Sequence, residues 1–334
     1  MKRFLIPVIL AVLAIGIGWH FVRKRENTVP EVSLRNPIPP ITTGQTPLFV
    51  ARDKGFFEEL GLSVKLEQGG AEVNPVKMVA AGKNTFGIVG GPEILLVAKG
   101  QGIPVKAIAI LHRNANFPCF VTLEPSGITE ISQLQDKKVA FFPGHITTDV
   151  LKPLLKKEGV KINESSMGLD YTQLITSKID AQWAFTVRAA IQLPLEGHPV
   201  NVIRASDYGV ITHGYTIFAL EETIESRPEI CEKILRGIFQ GIDTTLEHPE
   251  EAESILLSAN PTLADDLEFV RKSESMFNAV ISNSEEFPKG YMDSGMFESA
   301  YKYLKEEGAI ENDFPVKEAF TTQFLEKIHG RKFE

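Results

Sequence analysis

Between residues 30 and 220, short apolar runs alternate with helix-patterned stretches, and most changeovers pass through glycine. That alternation demands a sheet layered against helices, so the chain reads as α/β. Strands are predicted over 32–34, 62–67, 85–89 and 105–111, with helices over 47–55, 73–81 and 92–99 between them. Pro92 suits a first helical turn and Gly100 a C-cap. The pattern then restarts, with strands over 120–123, 138–142, 181–185 and 200–203 and a helix over 147–158. Two such units of ~80–100 residues point to two lobes rather than one long sheet. From Ser226 onward the chain reads as nearly all helix. Ser226 and Glu229 form a predicted capping box, and Ile230, Ile234, Leu235, Ile238, Ile242 and Leu246 make an apolar stripe at helical spacing. Further helices are predicted to open at Pro249 and Thr262 and to run over 296–307 and 316–328; all of these read as structural.

Charge and cysteine content exclude several function classes. The 334 residues carry 35 Lys+Arg against 43 Asp+Glu, a net charge of −8. Residues 1–25 hold five cations and no acid, so the remainder is more acidic still. Such a body repels phosphate backbones, which argues against a nucleic-acid partner. With only Cys119 and Cys231, neither a disulfide scaffold nor a structural zinc site organises the fold. The seven histidines show no metal-ligand spacing, and GxSxG, HExxH, Walker and DxDxDG motifs are absent. No catalytic residue, metal or cofactor is expected.

The N-terminus reads as an address. Lys2 and Arg3 precede an apolar run from Phe4 to Val22, followed by Arg23-Lys24-Arg25. The run approaches the ~20 residues that cross a bilayer, so residues 1–25 are expected to be a signal peptide or a retained membrane anchor. Residues 26–40, rich in proline, would then be a stiff linker or first loop.

Three strand-to-helix turns carry the binding chemistry. Gly87-Ile88-Val89-Gly90-Gly91-Pro92 offers backbone N–H groups at a helix start, where ligands are commonly held, although a plain tight turn has the same sequence. Phe141-Phe142-Pro143-Gly144-His145-Ile146-Thr147 repeats the arrangement with side-chain donors, Thr147 being equally a natural N-cap. Gln68-Gly69-Gly70-Ala71-Glu72 is the third. In open α/β sheets such turns gather beyond the carboxyl ends of the strands and point to a cleft between lobes. The stretches around His112–Asn116 and Asp207–Tyr215 fall between units, where two lobe crossings would floor that cleft. Trp183 and Phe185 share a strand face and either wall a flat ligand or belong to the core; Arg188 could meet an acid group.

Ala51-Arg52-Asp53-Lys54-Gly55-Phe56-Phe57-Glu58-Glu59-Leu60-Gly61-Leu62-Ser63-Val64 resembles the A-x-x-x-G-F-F-x-x-x-G-L-x-V opening of periplasmic substrate-binding proteins of ABC importers. The branch it looks like is the NMT1/THI5-like one, serving nitrate, sulfonate, taurine and pyrimidine precursors. Met78 to Ile88, Gly102 to Ala109 and Lys178-Ile179-Asp180-Ala181 are similar to further elements of that family. The resemblance implies a two-lobed, type II clamshell periplasmic-binding-protein fold with a helical C-terminal part packed on the first lobe. It implies residues 30–116 and 213–334 in lobe I and 117–212 in lobe II. It also implies a monomeric, extracytoplasmic solute-binding protein, not an enzyme, that takes a small organic molecule or anion to an ABC permease. The alternatives are a membrane-tethered ligand sensor and a THI5-like pyrimidine synthase. Carried onto this chain, the ligand-binding positions are Asn36, Thr42, Gln45, Gly70, Gly90, Gly91, Asn116, Gly144, His145, Thr147, Trp183, Tyr208 and His213. Two departures stand out: no cysteine follows the apolar run to carry a lipid, and the synthases' cysteine-rich run is missing.

Overall fold

Among the described residues, ten strands fall into two five-stranded sheets of matching design. The computed structural model describes residues 29–37, 43–70, 73–141, 148–168 and 170–333. The predicted export segment therefore lies outside the described residues, as do Thr42, Gly144, His145 and Thr147. The strands are β1 (Glu31–Arg35), β2 (Ser63–Glu67), β3 (Phe86–Val89), β4 (Val105–Ile110), β5 (Pro118–Leu123), β6 (Lys138–Phe141), β7 (Asn163–Ser166), β8 (Ala181–Phe185), β9 (Val200–Arg204) and β10 (Thr216–Leu220). The first sheet runs β2-β1-β3-β10-β4 and the second β7-β6-β8-β5-β9.

Each sheet holds one strand antiparallel to its neighbours. In the first it is β10, against β3 and β4; in the second it is β5, against β8 and β9. Both strands directly follow a passage of the chain from one sheet to the other. A chain arriving from the far sheet enters from the cleft end, opposite to the strands delivered by right-handed crossovers. Two lobes joined by two crossings are thus written into the sheet order.

Helices of seven or more residues among the described ones are α1 (Thr46–Asp53), α2 (Pro92–Gly100), α3 (Thr148–Lys157), α4 (Thr186–Leu195), α5 (Pro228–Glu247), α6 (Pro249–Ala259), α7 (Leu267–Asn278), α8 (Ser294–Glu306) and α9 (Gln323–His329). The predicted stripe on α5 is real: Ile230, Ile234, Leu235, Ile238 and Ile242 are fully buried in one core with Leu34, Leu48 and Ile88 of the first lobe. Burying each such side chain contributes roughly 1.5–3 kcal/mol, which fastens the C-terminal helices to that lobe. In the second lobe the strand alternation sends Phe120 to one face, with Phe141 and Trp183, and Cys119 and Val121 to the other.

Several local expectations need correction. Ser226 does not cap α5: it ends a short helix, Glu221–Ser226, and its hydroxyl bonds the Glu222 carbonyl at 2.6 Å. Pro228 opens α5 without any side-chain cap, its missing N–H sparing one of the donors a cap would serve. The helix predicted over 316–328 is broken. Ala319–Thr321 instead runs along the outer edge of β4, with Ala107 N–H to Ala319 O at 2.9 Å and Thr321 N–H to Ala107 O at 3.0 Å. The open backbone groups of an edge strand outcompete helix continuation there. The helix expected to open at Thr262 begins as a 3₁₀ turn, Pro261–Asp266, and becomes α7 only at Leu267, where the Asp266 side chain caps Phe269 N–H. β7, β10 and α4 have no counterpart among the elements expected from the sequence.

Candidate functional site

Asn36 follows β1 at its carboxyl end, and its N–H still bonds Glu67 O at 2.9 Å. Arg35 is paired with Gly87 of β3, so Asn36 stands alongside the strand just before it turns through Gly90 and Gly91 into α2. Its side chain is 1% exposed, yet neither Oδ1 nor Nδ2 has a partner among the described residues. Gln45, at the end of the short turn Thr43–Gln45 that leads into α1, is equally buried with Nε2 unpartnered. Desolvating such groups without hydrogen bonds costs about 1–3 kcal/mol each, so their placement calls for a ligand or solvent that pairs them.

The turn at Gly90–Gly91 is not an open anion cradle. Glu93, on the first turn of α2, folds its carboxylate back so that any Cβ at Gly91 would collide with both oxygens. Burial pushes this carboxyl up to about 7, against the bond from its own backbone N–H.

The two crossings are hydrogen-bonded to one another. Leu111 N–H donates to Tyr215 O at 2.7 Å, Gly214 N–H to His112 O at 2.8 Å, and Asn116 N–H to Thr212 O at 3.2 Å. Asn116 completes the pair, its Oδ1 accepting from Thr212 N–H at 3.0 Å. Asn114 and Asn116 sit at φ 49° and 50°, a left-handed conformation asparagine tolerates better than other side chains. His213 accepts from Asn114 N–H at 3.1 Å through Nδ1. Burial first, then the Arg113 charge, holds His213 down at about 4, while burial alone brings His112 to about 3. Both rings are therefore neutral. Asn116 and His213 act at least as pins of the hinge.

The main addition to the sequence-derived site is α7. Ser273 Oγ lies 2.9 Å from Thr43 Oγ1, and a Cβ at Gly44 would stand 2.7 Å from the Phe277 ring, so α7 clamps the turn that carries Gln45. Phe277 also packs 5.1 Å from His112 and from Phe117, and 5.9 Å from Tyr215. Val187 of α4 joins that cluster, so apolar contact links the lobes beside the hinge. Glu274, one turn before Phe277, is buried with Oε1 unpartnered. Burial, opposed by the Thr46 hydroxyl and reinforced by Glu253, raises its carboxyl to about 7. Nothing in the helical periodicity of 267–278 announces this role; a glutamate at a core-facing position was the available signal.

In the second lobe Trp183 is buried beside Phe120 and Phe141, its ring 4.9 Å from Phe185. Tyr208 serves the lobe's own structure, its hydroxyl accepting from Ile131 N–H at 2.9 Å. Tyr208→Phe is expected to lower stability by about 1–2 kcal/mol in urea denaturation, by orphaning that N–H, and to leave ligand affinity unchanged. Gly70 lies past the edge strand β2, bridged to Val73. Arg188 is not free for an acid group, since it bonds Gln192 Oε1 at 3.1 Å; Arg113 stacks 3.6 Å from the Phe287 ring centre, and its buried Nε has no hydrogen-bond partner among the described residues. Across the rim, Lys156 of α3 reaches Glu307, at the end of α8, at 3.4 Å. Cys119 and Cys231 are buried and their thiols pushed up to about 12, which removes thiolate chemistry from either.

Known proteins share this architecture. The NMT1/THI5 like family model matches residues 42–252. The riboflavin-binding protein RibY of Chloroflexus aurantiacus is 24% identical over 84% of this chain and 82% of its own length. The formylaminopyrimidine-binding protein of Halalkalibacterium halodurans is 23% identical, over 82% and 85%. Other relatives are named 4-amino-5-hydroxymethyl-2-methylpyrimidine phosphate synthases. Among solved structures, the periplasmic aliphatic sulphonate binding protein SsuA of Escherichia coli superposes with a TM-score of 0.68 at 12% identity, covering 88% of this chain and 93% of that one. The fold is therefore that of the periplasmic binding proteins, and the chain belongs to the NMT1/THI5-like family.

Proposed function

We propose that the protein is an extracytoplasmic solute-binding protein, exported by its N-terminal segment, that captures a small organic molecule between its lobes and delivers it to an ABC permease. The observation that carries this reading is the pair of buried amides, Asn36 and Gln45, left unpartnered where β1 leads into α1. A ligand touching these groups and the second lobe together would favour the closed clamshell, because it makes both sets of contacts only there. The relatives named for riboflavin and formylaminopyrimidine binding support the reading, as does the burial of both thiols.

Calorimetric titration of the purified protein tests it. One ligand bound per chain, recovered unchanged, is the expected result. Conversion of the bound molecule into product would instead support a synthase, in keeping with the names of other relatives. Binding with no permease captured by crosslinking in membranes would favour a tethered sensor.

A further inference from the structure

The first lobe reaches the second at two places besides the crossings. α7 and α8 are anchored in the first lobe: Val270 of α7 packs with Phe49 of α1, and Phe297 and Leu304 of α8 lie in the core that holds Leu34 and Ile88. α3 and α4 are anchored in the second lobe, on opposite faces of its sheet. Leu151, Leu154 and Leu155 of α3 pack with Phe120, whereas Ala189 and Leu193 of α4 pack with Cys119 and Val121. Alternation along β5 sends those strand residues to opposite sides. α7 meets α4 and α8 meets α3, so the second lobe stands between two arms of the first.

The two contacts differ in chemistry. Between α7 and α4 the contact is apolar: Phe277 and Val187 are buried together with Ala115 and Phe117, and Met276 and Val280 pack against them. Between α8 and α3 it is polar and lies at the surface. Glu307 stands 3.4 Å from Lys156, and the Tyr303 hydroxyl meets the Leu154 backbone. Because both arms are built into the first lobe's core, rotation of the second lobe about the crossings moves α3 and α4 against helices that cannot follow. Contacts made in one arrangement of the lobes and lost in another bias the equilibrium between the two.

We propose that α7 and α8 form a two-sided latch that holds the second lobe closed on the first, so that the resting balance of open and closed forms is set outside the cleft, in part by the Lys156–Glu307 charge pair. The inference goes beyond the solute-binding reading and does not depend on what occupies the cleft. Where a ligand binds the closed form, its apparent affinity scales with the closed fraction. The latch therefore tunes affinity without touching the ligand.

Pulsed electron spin resonance on the purified full chain, without added ligand, tests it by reading the distance between the lobes. Spin labels at Lys83→Cys and Lys178→Cys occupy exposed positions before the amino ends of β3 and β8, remote from the crossings. Cys119 and Cys231 are buried and do not compete for the label. Lys156→Glu sets two acids against each other and is expected to lower the closed-to-open ratio about two- to fivefold. Val187→Ala thins the apolar contact and is expected to lower it about fivefold or more. The swapped pair, Lys156→Glu with Glu307→Lys, is expected to restore the ratio of the unaltered protein. An unchanged distance distribution in either single variant overturns the latch, and so does a swapped pair that stays as open as Lys156→Glu alone. Lys156 is 75% exposed, so the charge variants decide the matter even where Val187→Ala weakens folding. The solute-binding reading survives each of these results, because no ligand enters the measurement.

Discussion

Acidification is expected to leave stability nearly level from about pH 7 to about 4.5 and then to remove it steeply, because two pairs of buried groups pull in opposite directions. His112 and His213 titrate at about 3 and about 4 in the folded protein, well below the ordinary 6.5. The unfolded chain therefore binds their protons first, and stability falls as pH drops from the ordinary histidine value through the folded ones. Glu93 and Glu274 are raised to about 7 from an ordinary 4.5. For them the folded state takes up protons first, so stability grows as pH drops from about 7 and stops growing near the ordinary glutamate value. Over the shared range the two effects offset. Below it the histidines act alone, and His112 by itself accounts for about 5 kcal/mol over its whole span. Surface ion pairs such as Lys305–Asp313 add little, their partners being largely in water. Chemical denaturation between pH 3 and 8 reads the profile. Replacing both glutamates by glutamine is expected to start the decline already near pH 6.5, and His112→Phe to flatten the acid limb. An acid limb of the same depth in His112→Phe would show that another group drives it.

The second large effect concerns a helix crossing. Gly241 of α5 packs directly on α1: a Cβ there would run into the Pro47 carbonyl and stand 3.0 Å from Ala51 Cβ. One turn earlier, Gly237 receives the Phe57 ring in the same way. Replacing an interior helical glycine by alanine normally gains up to about 1 kcal/mol. At Gly241 the obstacle is backbone, which cannot swing aside as a flexible side chain would, and overpacking of this kind costs about 1–3 kcal/mol or more. Gly241→Ala is therefore expected to destabilise by about 2 kcal/mol, and Gly241→Val by more, seen as a lower urea midpoint with an unchanged slope. The same push would displace α1, which carries Thr46 and follows Gln45, so ligand affinity should fall with stability. A raised midpoint for the alanine variant would mean that the crossing is looser than its geometry indicates.

Much of this protein could be read without a structure. Strand runs such as 62–67 and 105–111, glycine turns such as Gly90-Gly91-Pro92, and the stripe from Ile230 to Ile242 each depend on neighbours close in sequence, where periodicity and turn chemistry act. Asn114, Asn116 and His213 lie in the two stretches that the sequence places at the lobe crossings, and they bond those crossings together. The motif around Gly55-Phe56-Phe57 pointed to the family that the comparisons show. What no local pattern contained is which surfaces meet. Helical spacing over 267–278 marks a buried face, but only the fold sets Ser273 against Thr43, 230 residues away, and so buries Glu274 beside Thr46 and Phe277 against His112. Likewise Gly91 and Glu93 read as an open helix start until the carboxylate is seen to occupy it. Residue order determines what each segment can form, because those energies are short-range. The character of the buried polar groups was decided by tertiary packing, because burial is what raises a carboxyl, silences a histidine and leaves an amide waiting for a partner.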